Sequence, residues 1–221
     1  MKKENISGLS RADVFDVFAE AMKAVANGRR LELLELMAQN EHAVEDLARM
    51  TGMAITTTSA HLQTLKRAGL VLTRRQRTSI YYRLAGDDVA ELYTAAKRVA
   101  LAHNPKLQAT LQTYMGEPRA QSPTIDPAAV TSDMFVVDVR PADEYETAHF
   151  PGAVSIPLGE IEERYTEIPP GSEVVLYCRG ELCRFAREAA VWLRERGIDA
   201  KAMDEGIIEW RANKDIILNI A

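Results

Sequence analysis

The sequence predicts two domains: a mainly α N-terminal domain that carries a β-hairpin, and a C-terminal α/β domain built on a largely parallel sheet. Three observations predict it. At 221 residues the chain exceeds the usual size of a single domain. Apolar residues recur at helical spacing through most of the first 115 residues, whereas short buried strands alternate with helices after residue 123. Charge divides at the same place: residues 1–115 carry +4 and residues 116–221 carry −9, together the net −5 of the chain.

Composition narrows the class of protein. Apolar residues make up 47% and charged residues 27%, which is ordinary for a soluble globular chain. No apolar stretch approaches the roughly 18 residues that span a bilayer, so no membrane is expected as a partner. Met1-Lys2-Lys3-Glu4-Asn5 is not followed by the apolar run of a secretory signal. Two cysteines, Cys178 and Cys183, are too few for a disulfide framework in a chain this long, so a cytoplasmic location is expected.

Each element of the first domain has its own signal. Val14, Phe15, Val17, Phe18, Ala21, Met22 and Val25 form a broad apolar stripe on a helix from about Ala12 to Ala26. Leu31, Leu33, Leu34 and Leu36 mark a second helix, Arg30 to Ala38. A short third covers Val44 to Met50 and stops at Gly52, and a fourth covers Thr56 to Ala68 and stops at Gly69. Leu70–Thr73 and Ser79–Leu84 read as two strands around the polar segment Arg74–Thr78. A longer helix opens after Gly86 and runs to about Ala102, resuming beyond Asn104-Pro105 to Met115.

Gly116-Glu117-Pro118-Arg119-Ala120-Gln121-Ser122-Pro123 has the composition of a linker, which sets the domains at 1–115 and 124–221. Beyond it, Phe135–Val139 and Val174–Tyr177 read as strands. Helices are expected over Leu158–Tyr165, Arg184–Arg196 and Glu205–Arg211.

Helix, turn, helix, then a basic hairpin is the order of a winged helix-turn-helix, whose second helix enters the major groove. On Thr56–Ala68, Leu62, Leu65 and Ala68 face inward and leave Thr56, Thr57, Ser59, Ala60, Gln63 and Thr64 outside, able to reach base edges or phosphates. Arg74, Arg75 and Arg77 at the hairpin would grip the backbone or the minor groove. No acidic residue falls between Asp46 and Asp87, a span that holds seven Lys and Arg. Such a stretch suits a contact with phosphates, and double-stranded DNA is the expected partner.

Three blocks resemble the ArsR family of bacterial winged-helix repressors: Ala24-Val25-Ala26-Asn27-Gly28-Arg29-Arg30-Leu31, Ser59–Val71 and Tyr81-Tyr82-Arg83-Leu84. The resemblance covers about residues 12–100. It implies a homodimer built on the first and last helices and a palindromic operator. The sequence departs from the family at Gly28, where proline is common, and at the wing tip, which lacks a frequent glycine. Many members sense metals through Cys or His. This half has no cysteine, and His61 lies within the recognition-helix block, so no metal site is expected and the signal should arrive elsewhere.

In the second half, Cys178 ends a strand and is followed by Arg179, Gly180, Glu181, Leu182, Cys183 and Arg184 before a helix. A loop between a strand and a helix N-terminus points N–H groups inward and favours an anion. Together with Arg179 and Arg184, these dipoles would favour a Cys178 thiolate over the thiol. Residues 124–213 resemble the rhodanese sulfurtransferases. The resemblance is carried by Asp138-Val139-Arg140, Glu144-Tyr145, His149–Ala153, the Cys178 loop and Glu205–Trp210. It implies that Cys178 accepts a sulfane sulfur as a persulfide, cradled by the loop from Arg179 to Arg184, with Asp138 and Arg140 in structural support and no cofactor. The whole chain resembles a fusion of an ArsR-type regulator with a rhodanese domain.

Cys178 to Arg184 also fits C-x5-R, the phosphate loop of cysteine phosphatases and some arsenate reductases, in which the arginine clamps the oxyanion. Tyr177, Phe185 and Glu181 depart from that signature. Cys183 either resolves a persulfide or sulfenic acid on Cys178 or packs inward as a small hydrophobe. Three functions follow: a regulator whose operator affinity responds to sulfur at Cys178, a sulfurtransferase acting between a sulfane sulfur donor and a thiol acceptor with DNA binding separate, or a catalytically idle loop that holds an anion or a protein.

Overall fold

Ser10 opens the first helix. Its hydroxyl accepts the Asp13 N–H at 3.2 Å, and the Asp13 carboxylate accepts the Ser10 N–H at 2.6 Å, a reciprocal cap worth about 1 kcal/mol. The computed structural model describes residues 9–220, apart from the side chains of 117–121. Contacts divide the chain into two units. The first holds the chain up to Leu34 together with Glu41–Gly86, and the second holds Glu35–Asn40 and Asp87 onward.

The first unit contains α1 (Arg11–Val25), the start of α2 (Gly28–Gln39), β1 (His42–Ala43), α3 (Val44–Thr51), α4 (Ile55–Arg67), β2 (Val71–Gln76) and β3 (Ser79–Leu84). The Asn27 side chain accepts the Arg30 N–H at 3.2 Å, so Asn27 caps α2. Helix α3 ends on Gly52 in the left-handed conformation, φ 65°. Strands β2 and β3 pair in antiparallel register from Val71↔Leu84 to Gln76↔Ser79, and β1 pairs with β3. The turn between them is Arg77-Thr78, and Arg77 takes φ 54°. Here an arginine carries the strained backbone that the missing wing glycine would carry freely, at a cost on the order of 1 kcal/mol.

The second unit contains the end of α2, α5 (Asp87–His103), α6 (Pro105–Gln121), β4 (Thr124–Ile125), β5 (Phe135–Asp138), α7 (Ala142–Thr147), β6 (Val154–Ser155), α8 (Ile161–Arg164), β7 (Val174–Tyr177), α9 (Phe185–Arg194), β8 (Ala200–Met203) and α10 (Ile207–Asn213). Its five strands are all parallel, in the order β4-β8-β7-β5-β6. Successive residues of a strand face opposite sides, so β7 feeds two cores. Val174 and Leu176 pack with Ala189, Ala190 and Leu193 of α9, while Val175 and Tyr177 pack with Phe150, Ile207 and Trp210. Burial on both faces explains the unbroken apolar run of this strand.

Two elements differ in detail from the expectation. The segment expected as the linker, 116–123, carries helical backbone. Gly116 takes φ 52°, ψ −146° and kinks the chain, and helical backbone resumes to Gln121. Glycine and proline do punctuate this segment, but one kink absorbs their effect. The helix expected over Leu158–Tyr165 is split into a 3-10 turn, the four-residue α8 and a second 3-10 turn.

Candidate functional site

Strand β7 delivers Cys178 to its C-terminal edge, where the residue is almost fully buried. The loop Arg179–Arg184 then turns into α9, with Arg184 at the N-cap and the Cys183 N–H donating to the Gly180 carbonyl at 2.9 Å. Cys178 and Cys183 are bonded through their sulfurs, with Cα atoms 6.3 Å apart. Cys183 also packs against the core beneath α9. Gly180 is buried, and Glu181, Leu182, Cys183 and Arg184 are partly exposed.

Gly206, just before α10, lies directly on this loop. A Cβ there would fall against the Cys178 carbonyl oxygen and 2.6 Å from the Gly180 nitrogen, so only glycine fits. The Arg179 carbonyl accepts the Ile208 N–H at 3.2 Å and the Gln39 side-chain amide at 3.3 Å.

The two loop arginines do not point where the sequence reading placed them. Arg179 donates to the buried Glu144 carboxylate at 2.6 Å and 3.1 Å. Arg184 pairs with Glu188 and lies over the Tyr114 ring, 5.7 Å from its centre. Its guanidinium is therefore turned away from the loop centre, where a C-x5-R phosphate clamp would need it. Asp138 and Arg140 form a fully buried pair beneath the site, Nη2 to Oδ2 at 2.6 Å. Arg140 also donates to the Ala148 carbonyl at 2.7 Å and the Gln39 side-chain oxygen at 3.2 Å, and Tyr177 donates to Asp138 at 2.5 Å. Burial works to lower the Arg140 pKa, but Asp138 outweighs it and leaves it raised. Burial and the Asp138 charge push the Tyr177 hydroxyl well up, so it remains a donor.

A second charged group borders the loop. Lys97 of α5 pairs with Glu181 at 3.0 Å and with Glu209 of α10. The other Glu209 oxygen accepts the Gly206 N–H at 2.9 Å. Burial pushes the nearby Glu35 carboxyl up to about 7, Glu209 adding to the effect against Lys97 and Arg179, and Tyr93 donates to it at 3.3 Å. Burial works against the Lys97 charge, yet the two carboxylates keep its pKa raised. A cavity of about 620 Å³ opens here, lined by Lys97, Arg98, Glu181, Glu205 and Glu209 among others.

Sequence reasoning missed Glu144, Gln39, Lys97 and Glu209 as partners of the loop. Glu144 and Glu209 lie inside motifs already singled out, which was the available signal. Gln39 and Lys97 lie far from the loop in sequence, and nothing local marks them.

In the first unit, α4 buries Thr58, Leu62 and Leu65 and exposes Thr56, Thr57, Ala60 and Gln63, with Ser59 and Thr64 partly exposed. Gln63 donates to the Tyr82 hydroxyl at 3.1 Å. Arg75 and Arg77 are exposed at the wing tip. Arg74 is not at the tip: it sits opposite Tyr81 in the β2–β3 ladder, pairs with Glu41 and stacks 4.9 Å over the Tyr81 ring. On α1, Val14, Phe15, Val17 and Phe18 are each more than half exposed. Among the described residues no helix is long and apolar enough to cross a membrane.

Comparison with known proteins gives these parts a family. The model of the bacterial regulatory proteins of the arsR family matches residues 27–73, and that of the rhodanese-like domain matches residues 124–213. The HTH-type transcriptional regulator Rv0324 of Mycobacterium tuberculosis is 41% identical over 203 residues, covering 91% of this chain and 90% of its own length. The chain belongs to the ArsR-family transcriptional regulators, with a C-terminal rhodanese-like domain. This regulator is also similar to the Bacillus subtilis protein YrkF, whose name proposes a sulfur carrier, at 40% identity over 62 residues, 28% of this chain and 32% of that protein. Among solved structures, the homodimeric winged helix-turn-helix fragment of Mb0332 from Mycobacterium bovis is 50% identical, covers 46% of this chain and 95% of its own, and superposes with a TM-score of 0.41.

Proposed function

We propose that this regulator senses sulfane sulfur through a persulfide on Cys178 and answers with a change in affinity for its DNA operator. The observation that carries the reading is the bond between Cys178 and Cys183 across the β7–α9 loop. In the reduced protein, the Cys178 thiolate attacks the terminal sulfur of a donor R–S–SH, giving Cys178–S–SH and releasing R–S⁻. The Cys183 thiolate then attacks the Cys178 sulfur, which closes the Cys178–Cys183 disulfide and expels HS⁻. Buried Asp138 and Arg140 hold the floor of this site, and α9 begins where the loop ends, with its N-terminal dipole favouring negative charge on the loop. The sulfur carrier role in the name of YrkF supports the same chemistry.

For the DNA contact, Thr56, Thr57, Ser59, Ala60 and Gln63 form the surface offered to base edges, and Arg75 and Arg77 reach the phosphates. Arg74 serves the wing by its pairing with Glu41. The exposed apolar side chains of α1 supply the surface on which two copies associate into a homodimer.

Intact-mass measurement on the reduced protein treated with polysulfide tests the sulfur step. Cys183→Ser should trap an adduct of one added sulfur, and wild type should pass on to the disulfide. Absence of any adduct in Cys183→Ser would overturn the reading. Sustained turnover of thiosulfate and cyanide, lost in Cys178→Ser, would instead make the domain a working sulfurtransferase.

A further inference from the structure

The segment between the two cysteines is held by side chains from outside residues 124–213. Gln39, at the end of α2, donates to the Arg179 carbonyl at 3.3 Å. Lys97, with only 9% of its side chain exposed, pairs with Glu181 at 3.0 Å and with Glu209. Glu209 itself presses on the loop: a Cβ on Gly180 would lie 2.8 Å from one of its oxygens, and the Glu181 N–H points to the other at 3.5 Å. One ammonium thus holds together two carboxylates, one of them on the loop residue that lies between Cys178 and Cys183.

We propose that Lys97 is a positioning residue for the cysteine loop, and that by pairing with Glu181 and Glu209 it holds Cys178 and Cys183 within bonding reach. Without Lys97, the Glu181 and Glu209 carboxylates face each other in a half-buried site, where like charges repel strongly. The repulsion is relieved when the loop opens and carries Cys183 away from Cys178. Lys97 stands on α5, the helix that follows the wing strand β3, so the open or closed loop is felt on a helix directly connected to the DNA-binding hairpin. This last step rests on the sensing reading above, but the effect of Lys97 on the cysteine pair does not.

The test is equilibration of the full-length protein with mixtures of reduced and oxidised glutathione. In this exchange the two cysteines lose two protons and two electrons and form one S–S bond, while oxidised glutathione takes them up and leaves as two thiols. Lys97→Met should lower the equilibrium constant for the disulfide by about tenfold, equivalent to about 30 mV. Lys97→Arg keeps a cation in reach of both carboxylates and should stay close to wild type. Lys97→Met at the wild-type potential would overturn the proposal. So would Lys97→Arg falling as far as Lys97→Met, because packing of the stem would then be the cause. Should Lys97→Met not fold, the more exposed Glu181→Gln decides: a shifted potential supports the role of the ion pair and an unchanged one overturns it. Glutathione carries no sulfane sulfur, so a failure of this test is distinct from a failure of persulfide formation.

Discussion

The Asp138–Arg140 pair offers a sharp test of how the cysteine site is supported. Both side chains are fully buried and bound to each other at 2.6–3.1 Å. The remaining Arg140 side-chain partners, the Ala148 carbonyl and Gln39, are neutral. Asp138→Ala would leave the guanidinium without its bonded counter-charge, and Arg140→Met would leave the carboxylate with only the Tyr177 hydroxyl and a backbone N–H. Breaking a buried pair from one side costs about 3–5 kcal/mol, because the surviving charge is stranded in a low-dielectric site. For a chain of this size, that is a fall in Tm of roughly 6–20 °C. The double variant Asp138→Ala/Arg140→Met strands no charge, and its loss should fall short of the sum of the singles by at least about 3 kcal/mol. Urea unfolding followed by Trp fluorescence reads this directly, since Trp210 packs 5.1 Å from the Tyr177 ring that caps the pair. Singles that lose less than about 1 kcal/mol, or a double variant that loses the full sum, would refute the reasoning.

Three further outcomes are expected. Gly206→Ala should destabilise the fold by about 1–3 kcal/mol, since its Cβ meets loop backbone that has nowhere to yield, and urea unfolding checks it. Because the Glu35 pKa is raised from 4.5 to about 7, its proton is held more tightly in the folded state. The Glu35 contribution to stability should therefore be fullest below about pH 4.5, fall as pH rises through 7 and level off above, and Glu35→Gln should remove that contribution to the slope and gain about 1–3 kcal/mol at pH 8. A Glu35→Gln protein with the wild-type pH profile in urea titrations would contradict this. Arg75→Ala and Arg77→Ala should each weaken operator binding and reduce the dependence of log K on log salt by about one phosphate contact, whereas a salt slope equal to wild type would remove the wing tip from the interface.

Much of the fold was legible because its signals are local. Gly52 and Gly69 stop α3 and α4, Leu62 and Leu65 set the buried face of α4, and the doubly buried β7 reads as an unbroken apolar run. The helical backbone after Gly116 was not legible, because glycine and proline mark a kink and a linker alike. Cysteine, loop and following helix were legible together, since a strand must pass through such a loop to reach α9. The destinations of two arginines were not: Arg179 and Arg74 are claimed by Glu144 and Glu41, which lie more than thirty residues away, and nothing in local sequence says which carboxylate folding brings near, whereas the Arg184–Glu188 pair has the i,i+4 spacing of a helix. Lys97 was hidden for the same reason, because an exposed lysine and one with a buried side chain look alike on an amphipathic helix.

The most direct test of the sensing account is binding of the purified regulator to its own promoter DNA by fluorescence anisotropy at fixed salt, reduced and after polysulfide treatment, with Cys178→Ser alongside. The account expects treatment to change the affinity of wild type severalfold and to leave Cys178→Ser unmoved. Equal affinity for wild type before and after treatment, with Cys178 shown by mass to have reacted, would contradict it.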